Sequence, residues 1–234
     1  VSGVEWCSVA FSGLRLIPGF SEISEGFYNP WSAGSWLGVT NDDLKDGIPE
    51  GLEGLHFHVL FESDSYALDR VLKVVREKFG RFFPRIKWIN MGGGHLMTGK
   101  DYNTDHLISL LRKFREETGL HVILEPGSAF AWETGELVST VEDVVEHDAI
   151  KTAIADVSFT AHMPDCLEMP YKPKIIGATD PVKGKPTYRI GGNSCLSGDV
   201  MGDWSFDKEL VPGDRLVFLD MIHYTMVKTT TFNG

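Results

Sequence analysis

The first half of the chain repeats a unit in which an apolar segment ends in a polar or glycine residue and an amphipathic segment follows. The apolar segments end near His58, Gly92 and Glu125, which are 92 − 58 = 34 and 125 − 92 = 33 residues apart. Between them, Ser65–Phe79 and Thr104–Thr118 place apolar residues at the spacing of one helical face. This order predicts a parallel sheet with crossover helices. The repeat length is typical of a β/α barrel, and a doubly wound open sheet is the alternative.

The second half of the chain has a different pattern, with short apolar segments separated by turn residues. The segments that predict strands are residues 136–145, 152–160, 174–177, 187–190 and 215–220. No long helical pattern accompanies them, so we expect an all-β domain that starts near Ala131. A complete β/α barrel needs about 250 residues, more than the first 130 residues can supply. We therefore expect residues 1–130 to form the later strands of a barrel and residues 131–234 to form a C-terminal β domain that is truncated at its end.

Composition and charge argue against several classes of function. The 234 residues carry a net charge of -11, whereas nucleic acids and acidic membranes bind basic surfaces. No apolar run approaches the roughly 18 residues of a membrane span. The three cysteines, Cys7, Cys166 and Cys195, are scattered and odd in number, which argues against a disulfide framework and for a reducing, cytoplasmic compartment. Because the first residue is Val1 and not methionine, we expect the chain to be a fragment.

Each of the three strand ends carries a group that could bind a ligand. Gly92, Gly93 and Gly94 can turn with φ > 0 and direct several N–H groups at one anion, or they can form an ordinary flexible turn. Glu125 at the end of a buried strand needs a partner, either a cationic ring nitrogen of a cofactor or a core Arg or Lys. His58 could stack on a planar ligand, bind a metal or be a satisfied core residue.

A metal site is a second interpretation of the same strand ends. His56 and His58 lie two residues apart on a strand, so their side chains point the same way. His-x-His at a barrel strand end is a ligand pattern for Zn²⁺, which would make the protein a metal-dependent hydrolase. Such a site needs further ligands. His95 could supply one, whereas Glu125 followed by Pro-Gly fits that role poorly.

Two segments of the β half also carry groups with chemical potential. Residues 191–199 place Cys195 and Asp199 in a loop rich in Gly and Ser, which is typical of a site loop but also of any turn. Asp165 begins an acidic segment that could bind an ammonium group or form a solvated surface loop. Tyr224 could belong to the core or direct its hydroxyl at a phosphate.

Together these motifs resemble one family, the fold-type III pyridoxal-phosphate-dependent decarboxylases, which include ornithine and diaminopimelate decarboxylases. The matching motifs run in order from about residue 12 to the end, and they are residues 54–59, 90–95, 125–127, 156–171, Cys195 with Asp199, and 224–234. The segment 156–171 is similar to the carboxynorspermidine/carboxyspermidine decarboxylases. The resemblance implies an alanine-racemase-type barrel, pyridoxal 5'-phosphate as cofactor, and decarboxylation of carboxynorspermidine or carboxyspermidine in polyamine biosynthesis.

The resemblance also implies a role for each matched residue. His58 would stack on the pyridine ring of the cofactor, and Glu125 would keep the ring nitrogen protonated. The groups that hold the phosphate would be Gly92, Gly93, Gly94 and Tyr224.

For the substrate, the resemblance implies that Cys195 is catalytic and donates a proton after CO₂ has left. The substrate-binding residues would be Asp156, Asp165 and Asp199, with Asp165 on the distal amine and Asp199 supporting the Cys195 loop. In this family that loop serves the active site of the neighbouring subunit, so a homodimer with shared active sites is implied.

The sequence departs from the family pattern in two places. Ser128 stands where some relatives carry an Arg that binds the phosphate. The lysine that holds the cofactor covalently would lie upstream of Val1, so we expect this chain alone to be inactive. A diaminopimelate or ornithine decarboxylase and a non-catalytic cofactor-binding homologue are the alternatives within the superfamily. Residues 27–31 could fold over the site.

Overall fold

The computed structural model describes residues 12–22, 34–169 and 171–232. The chain divides into two compact units, Val1–Phe130 and Ala131–Gly234. Cys7 and the segment 27–31, which could cover a site, lie outside the described residues. No helix in the described ranges combines the length and the apolar character needed to cross a membrane.

The first unit is built on a four-stranded parallel sheet. Its strands are β1 (Gly13–Arg15), β2 (Gly54–His56), β3 (Trp88–Asn90) and β4 (His121–Ile123), and they lie side by side in chain order. Each neighbouring pair is parallel, as the strand–helix repeat predicts. Chain order across the sheet is the order found in a β/α barrel, whereas a doubly wound sheet reverses its order at a switch point.

Two amphipathic helices connect these strands, and both have the bounds that the sequence predicts. Helix α1 spans Ser65–Phe79 and α2 spans Thr104–Thr118. Asp64 and Asn103 cap them, each accepting a hydrogen bond from a backbone N–H of the first turn, at 2.8 and 2.9 Å. Helix α2 ends at Gly119, whose φ of 71° suits glycine. Short 3₁₀ helices in the described part of this unit span Asp42–Leu44, Gly80–Arg85 and Ser128–Phe130.

The core of the first unit lies between the sheet and the helices. It contains the apolar face of α1 together with strand residues, including Leu68, Val71, Leu72, Val75, Leu55 and Ile89. The apolar segment 55–61 extends beyond strand β2, because the chain leaves the sheet after His56 and passes against Gly94. Phe57, Val59 and Leu60 nevertheless stay buried, which explains why the whole segment is apolar.

The second unit contains a six-stranded sheet in the order β10-β5-β6-β8-β9-β7. The strands are β5 (Glu136–His147), β6 (Ile150–Ala155), β7 (Ala178–Thr179), β8 (Thr187–Gly191), β9 (Val200–Phe206) and β10 (Arg215–Leu219). The β6–β8 pair is parallel and the other neighbouring pairs are antiparallel. Short helices are α3 (Phe159–His162), α4 (Pro164–Glu168) and α5 (Tyr224–Val227).

Several predictions for the second unit are wrong in detail. The strand expected over 152–160 ends at Ala155, because the Ser158 hydroxyl caps helix α3 instead. The strand expected over 174–177 is reduced to a single bridge from Ile175. The alternative of a solvated loop at Asp165 is also wrong, since that segment is helix α4 and Asp165 is only 8% exposed. Strand β9 has no counterpart in the prediction, because Gly202, with φ of 78°, interrupts its alternating pattern.

Candidate functional site

The carboxyl ends of β2, β3 and β4 bring distant residues into one cluster, here called the strand-end cluster: His56, His58, Asn90, Gly92–94 and Glu125. One side-chain atom from each of His56, His58 and Glu125 lies within 4.8 Å of the others. His56 Nε2 is 3.7 Å from Glu125 Oε2. Because parallel strands end at the same edge of the sheet, the spacing of these residues in the sequence translates directly into proximity.

The glycine triplet lies against the backbone of both neighbouring strand ends and has no room for side chains. A Cβ at Gly93 would come within 2.5 Å of the Glu125 carbonyl oxygen, and one at Gly94 within 2.1 Å of the Leu60 carbonyl oxygen. Gly92 and Gly94 also have φ of 69° and 79°, in the left-handed region. Close backbone packing therefore requires all three glycines, and backbone conformation also requires Gly92 and Gly94.

The N–H groups of the triplet are not equally available to a ligand. The Gly92 N–H donates to Asn90 Oδ1 (2.9 Å) and the Gly93 N–H donates to His58 Nδ1 (3.0 Å). In the described part of the chain, neither the Gly94 N–H nor the His95 N–H has an acceptor. Buried backbone donors are almost always satisfied. Among the described residues, the N–H groups of Gly94 and His95 are therefore the two next to the triplet that are left for a ligand.

Asn90 is a site residue that the sequence analysis missed. Its Nδ2 donates to Glu125 Oε1 (2.7 Å), while its Oδ1 accepts from the Gly92 N–H. The signal in the sequence was a polar residue at the end of a buried strand, the same signal that marks His58 and Glu125. The partner of the Glu125 carboxylate is thus an amide, with His56 nearby, and the predicted alternative of a core Arg or Lys is not what the structure shows.

Burial keeps the histidines of the cluster neutral near pH 7. Desolvation lowers the pKa of His56 and of His58, and the charge of Glu125 opposes this only in part. Because Gly93 donates to His58 Nδ1, the proton of the neutral ring is on Nε2. His58 is therefore a flat, uncharged ring with no lone pair free for a metal, which leaves two ligands where catalytic zinc sites use three. The geometry favours stacking over metal binding.

His95 does not join the metal-ligand group formed by the described residues, although the metal hypothesis assigned it a ligand role. It is 1% exposed, and neither ring nitrogen has a hydrogen-bond partner among the described residues. Burial lowers the pKa of His95 to about 4, although the carbonyl groups of Met91 and Gly92 face the ring and oppose the shift. His95 is thus a neutral core histidine directly behind the glycine triplet.

In the second unit, Asp199 anchors the loop that carries Cys195. Asp199 is 3% exposed and accepts hydrogen bonds from the N–H groups of Phe159 (2.6 Å), Thr160 (3.1 Å) and Ser194 (3.2 Å). The carboxylate therefore ties the start of helix α3 to the residue next to Cys195. Cys195 itself is exposed and forms no disulfide. The hydrogen bonds of Asp199 indicate a supporting role for this residue.

Asp165 is paired with a cation from its own chain. Lys228 Nζ lies 2.8 Å from Asp165 Oδ1 and 2.6 Å from Glu168 Oε2, and so links helix α4 to the residue after α5. Two carboxylates share one ammonium group, so this group of three carries a net charge of about −1 by formal count. No local pattern predicts the role of Lys228, because it lies 63 residues from Asp165 in the sequence.

Two further predicted residues of the second unit are Asp156 and Tyr224. Asp156 accepts hydrogen bonds from the Ser139 hydroxyl (2.6 Å) and the Thr140 N–H (2.7 Å), and the first of these contributes most to lowering the pKa of Asp156. Tyr224 begins helix α5 and is 42% exposed, so it is not a core residue.

Comparison with known proteins identifies the class of protein. The family model described as "Pyridoxal-dependent decarboxylase, C-terminal sheet domain" matches residues 21–222. The chain belongs to the pyridoxal-dependent decarboxylases. It is 51% identical over 224 residues to the carboxyaminopropylagmatine decarboxylase of Synechocystis, covering 95% of this chain and 58% of that protein. It is 45% identical over 233 residues to the carboxynorspermidine/carboxyspermidine decarboxylase of Campylobacter jejuni, covering 95% of this chain and 61% of that protein.

Solved structures support the same fold. The crystal structure of carboxynorspermidine decarboxylase complexed with norspermidine, from Campylobacter jejuni, superposes with a TM-score of 0.83 at 43% identity, over 95% of this chain and 60% of that chain. A diaminopimelate decarboxylase structure matches with a TM-score of 0.73 at 23% identity, which concerns the fold alone. The predicted fold, later barrel strands followed by a β domain, is confirmed, as is the resemblance to this family. The chain spans about three fifths of the length of the relatives it matches.

The strand-end cluster fits the cofactor of this family. The side chain of Glu125 is 53% exposed and is therefore accessible to a ligand, and the buried His56 Nε2 has no hydrogen-bond partner among the described residues. The Gly94 and His95 N–H groups offer donors to a phosphate. A planar ring with a cationic nitrogen and a phosphate is complementary to this set.

Proposed function

We propose that the chain is part of a pyridoxal-phosphate-dependent carboxy-lyase that removes CO₂ from carboxynorspermidine or carboxyspermidine, in polyamine biosynthesis. The observation that carries the proposal is the strand-end cluster, in which a neutral imidazole, an anion-binding loop and a carboxylate converge. The identity of 45% to a carboxynorspermidine/carboxyspermidine decarboxylase supports the substrate class.

Each residue of the strand-end cluster has a distinct task in this proposal. His58 would stack on the pyridine ring, and the Glu125 carboxylate would hold the proton on the ring nitrogen. Gly94 and His95 donate their N–H groups to the phosphate, with Tyr224 as a further donor. Gly92 and Gly93 support this arrangement indirectly, since their N–H groups hold Asn90 and His58 in place. When bound, the cofactor supplies an electron sink for the electron pair that the departing CO₂ leaves behind.

The second unit acts on the substrate in this proposal. The Cys195 thiol donates the proton that replaces the lost carboxylate, and Asp199 positions the loop that carries it. Asp165 binds the distal ammonium group of the substrate. Its group with Glu168 and Lys228 keeps one negative charge in excess, and an acidic site attracts a polycation. Asp156, whose pKa is lowered, stays ionised and adds to the negative charge.

The assembly and the compartment are also part of the proposal. The Cys195 loop serves the active site of a second subunit, so the working form is a homodimer. Cys166 and Cys195 form no disulfide, which agrees with a reducing cytoplasm. Size-exclusion chromatography with light scattering tests the dimer, and a full-length protein that is active as a monomer would contradict it.

Assays of the full-length gene product test the substrate. CO₂ release should be measured from carboxynorspermidine, carboxyspermidine, carboxyaminopropylagmatine, diaminopimelate and ornithine. We expect release from the carboxylated triamines. A preference for carboxyaminopropylagmatine would leave the proposed decarboxylation unchanged, but the distal group of the substrate would then be a guanidinium instead of an ammonium group. Release from diaminopimelate or ornithine alone would overturn the proposed substrate class.

A matched pair of variants tests the site. Glu125→Gln should lower CO₂ release by roughly tenfold or more, because a hydrogen bond to a charged group is worth about 1.5–3 kcal/mol. Glu116→Gln, on the exposed face of α2, is the control and should leave the rate unchanged. A parent protein that shows the absorbance of bound pyridoxal phosphate but releases no CO₂ from any of these compounds would be the non-catalytic homologue.

A further inference from the structure

Asn90 lies between the two parts of the strand-end cluster that differ most in chemistry, the carboxylate and the glycine triplet. It ends β3, the strand between the one that leads to His58 and the one that leads to Glu125. The residue is 9% exposed. It donates to Glu125 Oε1 at 2.7 Å and accepts from the Gly92 N–H at 2.9 Å.

Both hydrogen bonds require the same orientation of the Asn90 amide. A carboxylate oxygen can only accept, so the atom that faces Glu125 must be the NH₂ group. A backbone N–H can only donate, so the atom that faces Gly92 must be the carbonyl oxygen. A flipped amide would lose both bonds, and the side chain is therefore held in one state by two independent demands.

This fixed amide controls which oxygen of Glu125 is left for a ligand. Oε1 is occupied by Asn90, whereas Oε2 is 3.7 Å from His56 Nε2, beyond hydrogen-bond distance. A single oriented oxygen is what a ring N–H needs. The same amide holds Gly92, which precedes Gly94 and His95, whose N–H groups have no acceptor among the described residues. The carboxylate and the glycine triplet therefore share one support.

We propose that Asn90 is a positioning residue that couples Glu125 to the glycine triplet. It fixes the position of the Glu125 oxygen that binds the ring nitrogen and, at the same time, the position of the N–H groups that bind the phosphate. This inference rests on the proposed function. It makes Asn90 necessary for full cofactor affinity without any contact between Asn90 and the reacting atoms.

The sharpest test is Asn90→Asp in the full-length protein. The new carboxylate has the same shape and still accepts from Gly92, but it faces Glu125 at hydrogen-bond distance without a donor. Two carboxylates so close take up a proton between them. The other charged and titratable groups facing the pair are His56 and His58 from the end of β2, with Arg15 of β1 close enough to affect both.

The primary measurement is the affinity for pyridoxal phosphate as a function of pH, followed by absorbance, with kcat and KM for CO₂ release alongside. Asn90→Asp should weaken cofactor binding roughly tenfold or more near neutral pH. The pH below which cofactor affinity falls should also be higher in Asn90→Asp than in the parent, because the two carboxylates share a proton up to a higher pH. Asn90→Ala removes both hydrogen bonds without adding a charge, so it should weaken binding with a smaller shift of the pH profile than Asn90→Asp, because only the hydrogen bond to the Glu125 carboxylate is lost and no second carboxylate is added.

Asn103→Asp is the matched control. Asn103 is exposed and caps α2, where Asp serves as well as Asn, so affinity and pH profile should stay at the parent values. An equal loss in Asn90→Asp and Asn90→Ala at every pH would show a purely structural role and overturn the coupling. Unchanged affinity in Asn90→Asp would do the same.

The outcomes separate this inference from the proposed function. If the parent protein binds pyridoxal phosphate but releases no CO₂, the proposed function is wrong. The comparison of cofactor affinity among the Asn90 variants then still decides the role of Asn90. If the parent protein decarboxylates its substrate and Asn90→Asp behaves like the parent, only the inference about Asn90 is wrong. A parent that binds no pyridoxal phosphate overturns both.

Discussion

His95 should make the protein lose stability in weak acid. The imidazole is 1% exposed behind the glycine triplet, and burial lowers its pKa from 6.5 to about 4. A protonated ring at this position would place an unpaired charge in the core, since neither ring nitrogen has a partner among the described residues. The perturbation that isolates this effect is His95→Leu, which keeps an apolar side chain and removes the titration.

The sign and size of the change in the free energy of unfolding follow from the linkage between protonation and folding. Between pH 6.5 and about 4 the unfolded chain binds a proton at His95 that the native protein does not bind. The free energy of unfolding therefore falls as the pH falls through this window. A difference of about 2.5 pKa units at about 1.4 kcal/mol each gives roughly 3 kcal/mol lost from pH 7 to pH 4. His56 and His58 have lowered pKa values and act in the same direction, so the comparison must be with a variant.

The assay is urea denaturation of the chain at a series of pH values from 7 to 4, followed by circular dichroism and tryptophan fluorescence. His95→Leu should lose about 3 kcal/mol less than the parent across this range. His147→Leu, at an exposed position of β5, is the control and should follow the parent curve. Equal pH dependence in the parent and in His95→Leu would refute the argument that His95 is buried in its neutral form.

Three further predictions concern packing and charge. Gly93→Ala should destabilise the protein by about 1–3 kcal/mol in thermal or urea unfolding, because the added Cβ would lie 2.5 Å from a carbonyl oxygen. Gly80→Ala is the control and should not destabilise the protein, because nothing lies within 4 Å of its Cβ. Asp199→Asn should cost about 1.5–3 kcal/mol and speed hydrogen exchange in the Cys195 loop, since a neutral amide replaces a carboxylate that holds three N–H groups; unchanged exchange would contradict the anchoring role. Lys228→Met should cost about 1 kcal/mol, and a double-mutant cycle with Asp165→Asn should show a favourable coupling, which would be absent if the ion pair did not form.

The sequence by itself determined the features that depend on neighbours in the chain. The bounds of α1 and α2 are predicted correctly because their caps, Asp64 and Asn103, act on N–H groups three residues away. The parallel sheet follows from the repeat length, because crossover units of similar size place successive strands side by side. The repeat also predicts which residues meet, since strand ends of a parallel sheet share one edge.

Only the tertiary structure decided the partners and the exposure of these residues. The bond from Asn90 to Glu125 joins residues 35 apart, and the ion pair of Lys228 with Asp165 joins residues 63 apart. No local pattern specifies such pairs, because they depend on the position of one strand or helix against another. For the same reason the family resemblance could imply only that the three glycines hold the phosphate, whereas the fold shows that the first two N–H groups bond to Asn90 and His58. A donor looks identical in the sequence whether it is free or bonded, and only packing determines which it is.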